Sequence, residues 1–470
     1  MATEGKALDI VIMAAGKGTR MRSKWPKVLH KLAGRSLLQH VLETAAVLGA
    51  RRIVVITGHG AEAVEASVQA PNLVFARQVP QLGTGHAVLQ AVPLLDDGGT
   101  TLILNGDVPL IEAATARDLV DTCDASRLAL LTVELDDPRG YGRVLRGDPA
   151  GRNAHEGGRI HRIVEDKDAT ATDRNTREIY TGVMAVPTTA LKRWLAALRN
   201  DNAQGEYYLT DIVEAAVAEG VPVIAAHPRG PAEVLGVNSP AQLAEIERLL
   251  QRRRAERLME AGVRLADPAR FDLRGELSCG SDVEIDVGCI FEGRVALGDD
   301  VSIGAHCVIR NAQIGAGATI RPYTHIDGEA HGVTVGAHAT VGPFARLRAG
   351  AELGENVRVG NFVEIKNSVL GKGAKANHLA YLGDAQVGER VNFGAGSITA
   401  NYDGARKHRT TIGADAHVGS NCVLVAPLEI GAGATIGGGS TITKDAPAGK
   451  LTLARARQAT LDAWKRPTKA

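Results

Sequence analysis

Two hydrophobic periods divide the chain. In the first half, short apolar runs that end in glycine or a turn residue alternate with longer segments of helical spacing. Residues 9–16 (DIVIMAAG), 51–58 (RRIVVITG) and 101–107 (TLILNGD) are of the first kind, and residues 36–49 (SLLQHVLETAAVLG) are of the second. Continuous apolar strands interleaved with helices predict a mostly parallel sheet covered on both faces, which binds ligands at the carboxyl ends of its strands. Past Pro240 the pattern changes. Leu243, Ile246, Leu249, Leu250 and Leu258 fall at roughly helical spacing among charges and predict one long connector helix closed by Gly262. Its Arg252-Arg253-Arg254 run reads as a solvated helix face rather than an anion site.

Beyond the connector the period becomes six. Apolar residues recur at Ile285, Phe291, Leu297, Ile303 and Ile309, then at Ile314, Ile320 and Ile326. A third register holds Val335, Val341, Leu347, Leu353, Val359 and Ile365, and shorter ones hold Leu370, Ala376 and Leu382, then Val387 and Phe393. The last runs through Ile412, Val418, Leu424, Ile430, Ile436 and Ile442. A hexapeptide period marks a parallel β-helix in which the apolar residue points into a triangular prism. A glycine often follows it, and is expected there to take a turn conformation closed to other residues. A flexible glycine-rich linker would lack the sixth-position apolar residue. The repeat breaks at residues 397–410 (SITANYDGARKHRT), which must project as a loop, and residues 454–467 (ARARQATLDAWKRP) leave the pattern and end basic.

Composition narrows the picture. At 470 residues the chain exceeds what one core usually serves. With 54 basic and 53 acidic residues the net charge is +1, so no global field favours nucleic acid or membrane, and an anionic substrate must be held by local charges. The first residues have no signal-peptide pattern, no apolar stretch suffices to span a bilayer, and five cysteines form no C-x-x-C pair; these features predict a cytoplasmic protein without membrane insertion. Aromatics are only 3% against 54 glycines, which suits thin repetitive layers of Ala, Val, Ile and Leu.

Candidate chemistry begins at residues 11–21 (VIMAAGKGTRM), a loop after a buried strand in which glycine lets backbone N–H groups approach phosphate while Lys17 and Arg20 add charge. It fits neither the dinucleotide fingerprint nor the P-loop. WPKVLH with Lys27, QLGTGHA at residues 81–87 and Asp107 in LILNGDVPL follow; an Asp at a strand end suits a hard cation bridging phosphates. In the second half, Arg348 and Lys366 are 18 residues apart, about one coil, so stacking would place them one layer apart as a cationic pocket. His378, in KANHLAYLGD, is a candidate general base three residues before Tyr381.

Together with GYGRV, IVEDKDAT, NAQGEYYLTD, EVLGVNSP and VNFGAGSITANYDG, these segments resemble the bifunctional N-acetylglucosamine-1-phosphate uridyltransferase/glucosamine-1-phosphate N-acetyltransferases. The resemblance implies a Rossmann-like α/β nucleotidyltransferase domain over residues 1–240, a connector helix over 241–261 and a left-handed parallel β-helix over 262–470. It implies that the nucleotide meets Met13, Ala14, Ala15, Gly16, Arg20 and Lys27, that uracil meets Gln78, Gly83 and Thr84, and that Asn105, Gly106, Gly142, Glu165 and Tyr180 surround the sugar. Asp107 and Asn238 would hold Mg²⁺. Three positions depart from the family pattern: Asn105 stands where Tyr is frequent, Tyr180 stands where an Asn would meet the sugar, and Gly438 replaces an expected Ala. In the second half His378 would be the base, and Arg348, Lys366, Tyr381 and Asn392 would bind glucosamine 1-phosphate. Ala395, Asn401, Tyr402, Ser420, Gly438 and Arg455 would line the acetyl-CoA site. UTP and UDP-N-acetylglucosamine complete the implied ligands, and a homotrimer with sites between subunits is the implied assembly. Two alternatives stand beside this reading: a single-activity nucleotidyltransferase whose β-helix only regulates or oligomerises, and a non-catalytic assembly subunit.

Overall fold

The computed structural model describes residues 7–147 and 158–467, which fall into two compact units, 1–250 and 251–470. The first is built on a twisted sheet. Its order is Val223–Ala226, Leu128–Glu134, Glu178–Pro187, Thr100–Asn105, Leu8–Met13, Arg52–Thr57 and Leu73–Arg77. All neighbours are parallel except at Glu178–Pro187, which runs antiparallel to both strands beside it. Along each central strand, residues alternate between two cores. Ile10, Ile12, Leu102 and Leu104 join the core on one face, while Val11, Ile103, Val54 and Ile56 join that on the other. Burial on both faces is why these strands read as unbroken apolar runs. The helix Leu37–Val47 starts where Ser36 Oγ accepts from the Gln39 amide at 3.2 Å, satisfying one donor of its first turn.

The helix Pro240–Glu260 contributes Ile246 to a small core with Met21, Leu37 and Val237 in the first unit, and Ala255 to the core of the second. Its arginines are engaged: Arg252 bonds Glu256 at 2.6 Å, and Arg254 donates to the Leu273 carbonyl, so the run is not wholly a solvated face.

In the second unit one parallel sheet has eleven strands. Another, of sixteen, climbs one side of the coil and a second side, joined through the long strand Val308–Ile314. Every apolar residue of the hexapeptide registers is buried, each such Val, Leu or Ile contributing about 1.5–3 kcal/mol relative to exposure. The reason for the following glycine differs from expectation. Gly315, Gly388 and Gly413 do not have positive φ; a Cβ there would come within 2.8, 2.5 and 2.5 Å of a backbone nitrogen in the adjacent coil. Close stacking demands them, and left-handed residues such as Arg390 and Asp415 fall two positions on. The repeat also continues one step further than expected. Thr399, in the strand Ile398–Ala400, occupies the inward position, its hydroxyl accepting from the Gly383 amide (2.8 Å) and donating to the Gly383 carbonyl (3.0 Å). The loop therefore departs after Ala400. Hydrogen-bonded burial makes a polar residue tolerable where the period asks for an apolar one.

Candidate functional site

The first unit carries a cleft at the carboxyl ends of Leu8–Met13 and Thr100–Asn105, lined by Met13, Thr84, Asn105, Asp107, Gly142, Glu165, Tyr180 and Asn238 among the expected residues. Lys27 stands behind this lining and pairs with two of its residues, and Gly18 explains how it reaches them. Gly18 has φ +61°, and a Cβ would lie 2.6 Å from Lys27 Cβ, so the loop crosses the lysine where only glycine fits. Lys27 Nζ pairs with Asp107 Oδ2 and donates to Asn238 Oδ1 at 3.0 Å. Asn238 is placed by the start of the following helix. Ser239 Oγ accepts from the Gln242 amide at 3.3 Å, Pro240 opens the helix, and Gln242 Oε1 reaches back to the Asn238 amide at 2.8 Å. The Val237 amide bonds the Asp107 carbonyl at 2.9 Å, tying the two segments together.

Other expected residues stand outside the lining. Ala14 and Ala15 are buried beneath the loop, and Gly16 and Arg20 are exposed on it. Gly106 donates its amide to the Met13 carbonyl at 2.9 Å. Gln78 is turned inward, donating to the Gly83 carbonyl at 2.9 Å, and Gly83 (φ +106°) faces the Tyr207 carbonyl, where a Cβ would stand at 2.6 Å. Thr84 Oγ1 accepts from the Leu209 amide at 3.0 Å, so the NAQGEYYLTD segment docks on the QLGTGHA turn.

Tyr141 and Thr210 also line the cleft; they lie within the GYGRV and NAQGEYYLTD motifs, whose residue spacing alone does not single them out. Burial first, and then the Asp107 carboxylate, raise the proton affinity of Tyr141, with Arg20 opposing. Thr210 donates to Glu165 Oε1 at 3.0 Å. Burial raises the Glu165 pKa against that bond, with Asp168, Asp166 and Glu206 adding to the rise. The cleft thus has a cationic end near Lys27 and an acidic end near Glu165. Phosphates suit the first and an uncharged sugar the second.

In the second unit, Arg346 and Leu347 stack on Glu364 and Ile365, which stack on Tyr381 and Leu382. Arg348 donates to Glu364 Oε1 at 3.0 Å. Lys366 has a lowered pKa, chiefly because the Lys407 ammonium faces it, then through burial and Arg348. Mutually repelling cations held together form a site that an anion would relieve. Lys407 and Asn361 went unrecognised in the sequence. Asn361 lies beneath His378 in the strand ladder, and its Oδ1 is 2.7 Å from His378 Nδ1. An amide oxygen only accepts, so Nδ1 carries the proton and the Nε2 lone pair is left free. The signal for Asn361 is its place one coil earlier, 17 residues before His378.

Asn392 Nδ2 lies 3.3 Å from His417 Nδ1, and Asn401 is buried against Asp384, while Tyr402 is exposed with its hydroxyl on the Gly404 carbonyl at 2.5 Å. The remaining expected residues form a column. The Asn421 amide bonds the Ala395 carbonyl at 2.8 Å, the Gly439 amide bonds the Ser420 carbonyl at 2.8 Å, and Arg455 donates to the Gly438 carbonyl at 2.8 Å.

Residues 10–267 match the MobA-like NTP transferase domain family, and residues 332–367 and 409–444 match the bacterial transferase hexapeptide family (six repeats). Full-length relatives carry the name bifunctional protein GlmU. That of Methylibium petroleiphilum is 72% identical, covering 98% of this chain and 99% of the relative. That of an Acidovorax species is 64% identical with the same coverage, and that of Albidiferax ferrireducens is 62% identical over 98% and 100%. A nucleotidyltransferase unit followed by a hexapeptide-repeat acyltransferase unit, matched end to end, makes this chain a member of the bifunctional GlmU family, an acetyltransferase and uridyltransferase in one polypeptide.

Proposed function

We propose that the two sites catalyse consecutive steps of UDP-N-acetylglucosamine synthesis, with acetyl transfer in residues 262–470 and uridylyl transfer in residues 1–240. Glucosamine 1-phosphate rests its phosphate on Arg348 and Lys366, with Tyr381 and Asn392 along the sugar. The amine loses its proton to His378 Nε2 as its nitrogen attacks the acetyl-CoA thioester carbonyl, and coenzyme A leaves as the thiol. Ala395, Asn401, Tyr402, Ser420, Gly438 and Arg455 follow the cofactor. In the other site a phosphate oxygen of N-acetylglucosamine 1-phosphate attacks the α-phosphorus of UTP in line and pyrophosphate departs. That displacement needs little proton transfer, so Lys27 and Arg20 act by positioning and by neutralising charge that develops toward pyrophosphate.

The observation that carries the uridylyl assignment is the meeting of Asp107 and Asn238 oxygens on one positive charge, the Lys27 ammonium. Two hard oxygen donors converging beside a phosphate-binding loop fit Mg²⁺, which takes one or two protein oxygens and fills its shell with phosphate and water. When bound, the ion supplies positive charge to the triphosphate.

A trimer is the assembly we assign. His306, Tyr323, Phe344 and Phe362 stack in an outward ladder with ring centroids 5.2, 5.0 and 5.5 Å apart, and exposed Leu379 follows His378 directly. A contiguous exposed apolar stripe beside a site supports a subunit contact there. All five cysteines are free thiols, which supports a cytoplasmic setting.

The test is one reaction containing glucosamine 1-phosphate, acetyl-CoA, UTP and Mg²⁺, in which UDP-N-acetylglucosamine should form. His378→Ala should abolish acetyl transfer and leave uridylyl transfer near wild type, and Asp107→Ala should do the reverse. Joint loss of both activities in either variant would refute two separate sites.

A further inference from the structure

We propose that Asp384 is a positioning residue for acetyl transfer, its carboxylate clamping the projecting loop so that Asn401 and Lys407 stand where acetyl-CoA and the sugar phosphate meet. This deepens the acetyl-transfer assignment and rests on it.

Asp384 is 8% exposed. A buried carboxylate is tolerated when donors surround it, and here they come from the coils on either side. Asn367 Nδ2 donates to Oδ1 at 2.5 Å, and Asn401 Nδ2 donates to Oδ2. The backbone joins in. The Asp384 amide donates to the Lys366 carbonyl at 3.1 Å, and the Asp384 carbonyl accepts from the Thr410 amide at 3.2 Å. Asn401 and Thr410 are the two ends of the loop between the strands Ile398–Ala400 and Thr410–Ile412, so one residue holds both. Inside the loop the His408 amide donates to the Asn401 carbonyl at 2.8 Å, and Tyr402 pairs with Lys407 in an antiparallel bridge. A shift at Asn401 is therefore carried to Lys407.

Residues for both substrates converge at this point. A Cβ on Gly383 would stand 2.8 Å from Asn401 Nδ2 and closer still to the Tyr381 hydroxyl. In the proposed acetyl transfer Tyr381 faces the sugar and Asn401 the acetyl-CoA, so the clamp lies between the groups that bring amine and thioester together. Lys407, burial and Arg348 lower the Lys366 pKa, and the Asp384 carboxylate opposes them, which helps Lys366 keep its charge.

An amide of the same shape tests the clamp. In Asp384→Asn the side chain accepts from one asparagine but turns its own NH₂ toward the other, so two donors face each other. Adding Asn367→Asp supplies an acceptor for that NH₂ and restores the net charge. Positions 367 and 384 have φ of +45° and +50°, which Asn and Asp both tolerate. Asp384→Asn should raise KM for acetyl-CoA about tenfold, the scale of a lost hydrogen bond to a buried charge. KM for glucosamine 1-phosphate should stay within about threefold, because losing a negative charge near Lys366 favours phosphate while loosening Lys407 disfavours it. The double variant should bring KM for acetyl-CoA back to within about threefold of wild type, and pyrophosphate release by the first unit should be unchanged throughout. Loss of folded protein alone would lower kcat with both KM values unchanged, and that result would overturn the inference. So would a KM for acetyl-CoA within about twofold of wild type in Asp384→Asn, or no recovery in the double variant. Should Asp384→Asn not fold, Asn367→Ala leaves the carboxylate held from one side and should raise KM for acetyl-CoA about threefold; an unchanged KM there would overturn the clamp. Wild type releasing no coenzyme A thiol from glucosamine 1-phosphate and acetyl-CoA would instead overturn the acetyl-transfer assignment beneath it.

Discussion

Asn361 offers the sharpest test of how the β-helix supports catalysis. Its Oδ1 lies 2.7 Å from His378 Nδ1, which leaves Nε2 as the nitrogen that would take the proton in the proposed acetyl transfer. Asn361→Ala frees the ring to rotate and to take the other tautomer. His378 is exposed, so water competes for the lost bond and its net worth is about 1 kcal/mol, or about fivefold in kcat. Removing the base itself should cost about 10²–10⁴-fold. Asn361→Asp should restore the acceptor and, by placing a carboxylate on the ring, shift the acid limb of the kcat/KM profile to higher pH by about one unit. The assay is continuous detection of free coenzyme A thiol across pH, with pyrophosphate release as the control for the other unit. Wild-type kcat with an unshifted pH profile in both variants would refute the role, as would a parallel fall in uridylyl transfer.

Two further outcomes follow from charge. Lys407→Met should raise KM for glucosamine 1-phosphate about fivefold at low salt, the upper range for an exposed charge pair, and the effect should shrink at high salt; an unchanged KM at low salt would remove Lys407 from the phosphate site. The Asp211 pKa is raised to about 6 by burial, with Glu214, Glu165 and Asp168 adding to it, so the folded state binds this proton more tightly than the unfolded chain does. Stability should therefore fall as pH rises from about 4 to about 6 and carry the full penalty above that, about 1 kcal/mol once solvent screening of a half-exposed group is allowed for. Asp211→Asn should flatten that slope in urea titrations, and an unaltered slope would contradict it.

Much of this protein was legible from residue spacing. Period six identified the prism because each coil repeats one packing problem: an inward side chain every sixth residue, with no long-range information needed. The apolar runs of the first half marked strands buried on both faces for the same local reason. The glycines after the inward residues were equally visible, but their cause was not. It lies in the neighbouring coil, whose backbone nitrogen stands 2.5 Å from where the Gly388 Cβ would be. Thr399 escaped the apolar pattern because its partner, Gly383, is a coil away.

The residues of the proposed sites divide along the same line. Lys27, Asp107 and His378 stand in recognisable motifs, since each needs only its own type and its immediate loop. Asn238 could be named, but what holds it, a helix start at Ser239 and Gln242 returning a side chain to its amide, is tertiary detail. Asn361 and Lys407 stand out only through neighbours brought close by folding: a histidine in the next coil and a lysine across a loop. Both architectures and both chemistries could be read along the chain, because periodicity and short motifs are local. Which imidazole nitrogen faces Asn361, and where the Lys366 and Lys407 ammonium groups crowd, emerge only on folding, because hydrogen bonds and electrostatic fields depend on distance in space rather than along the chain.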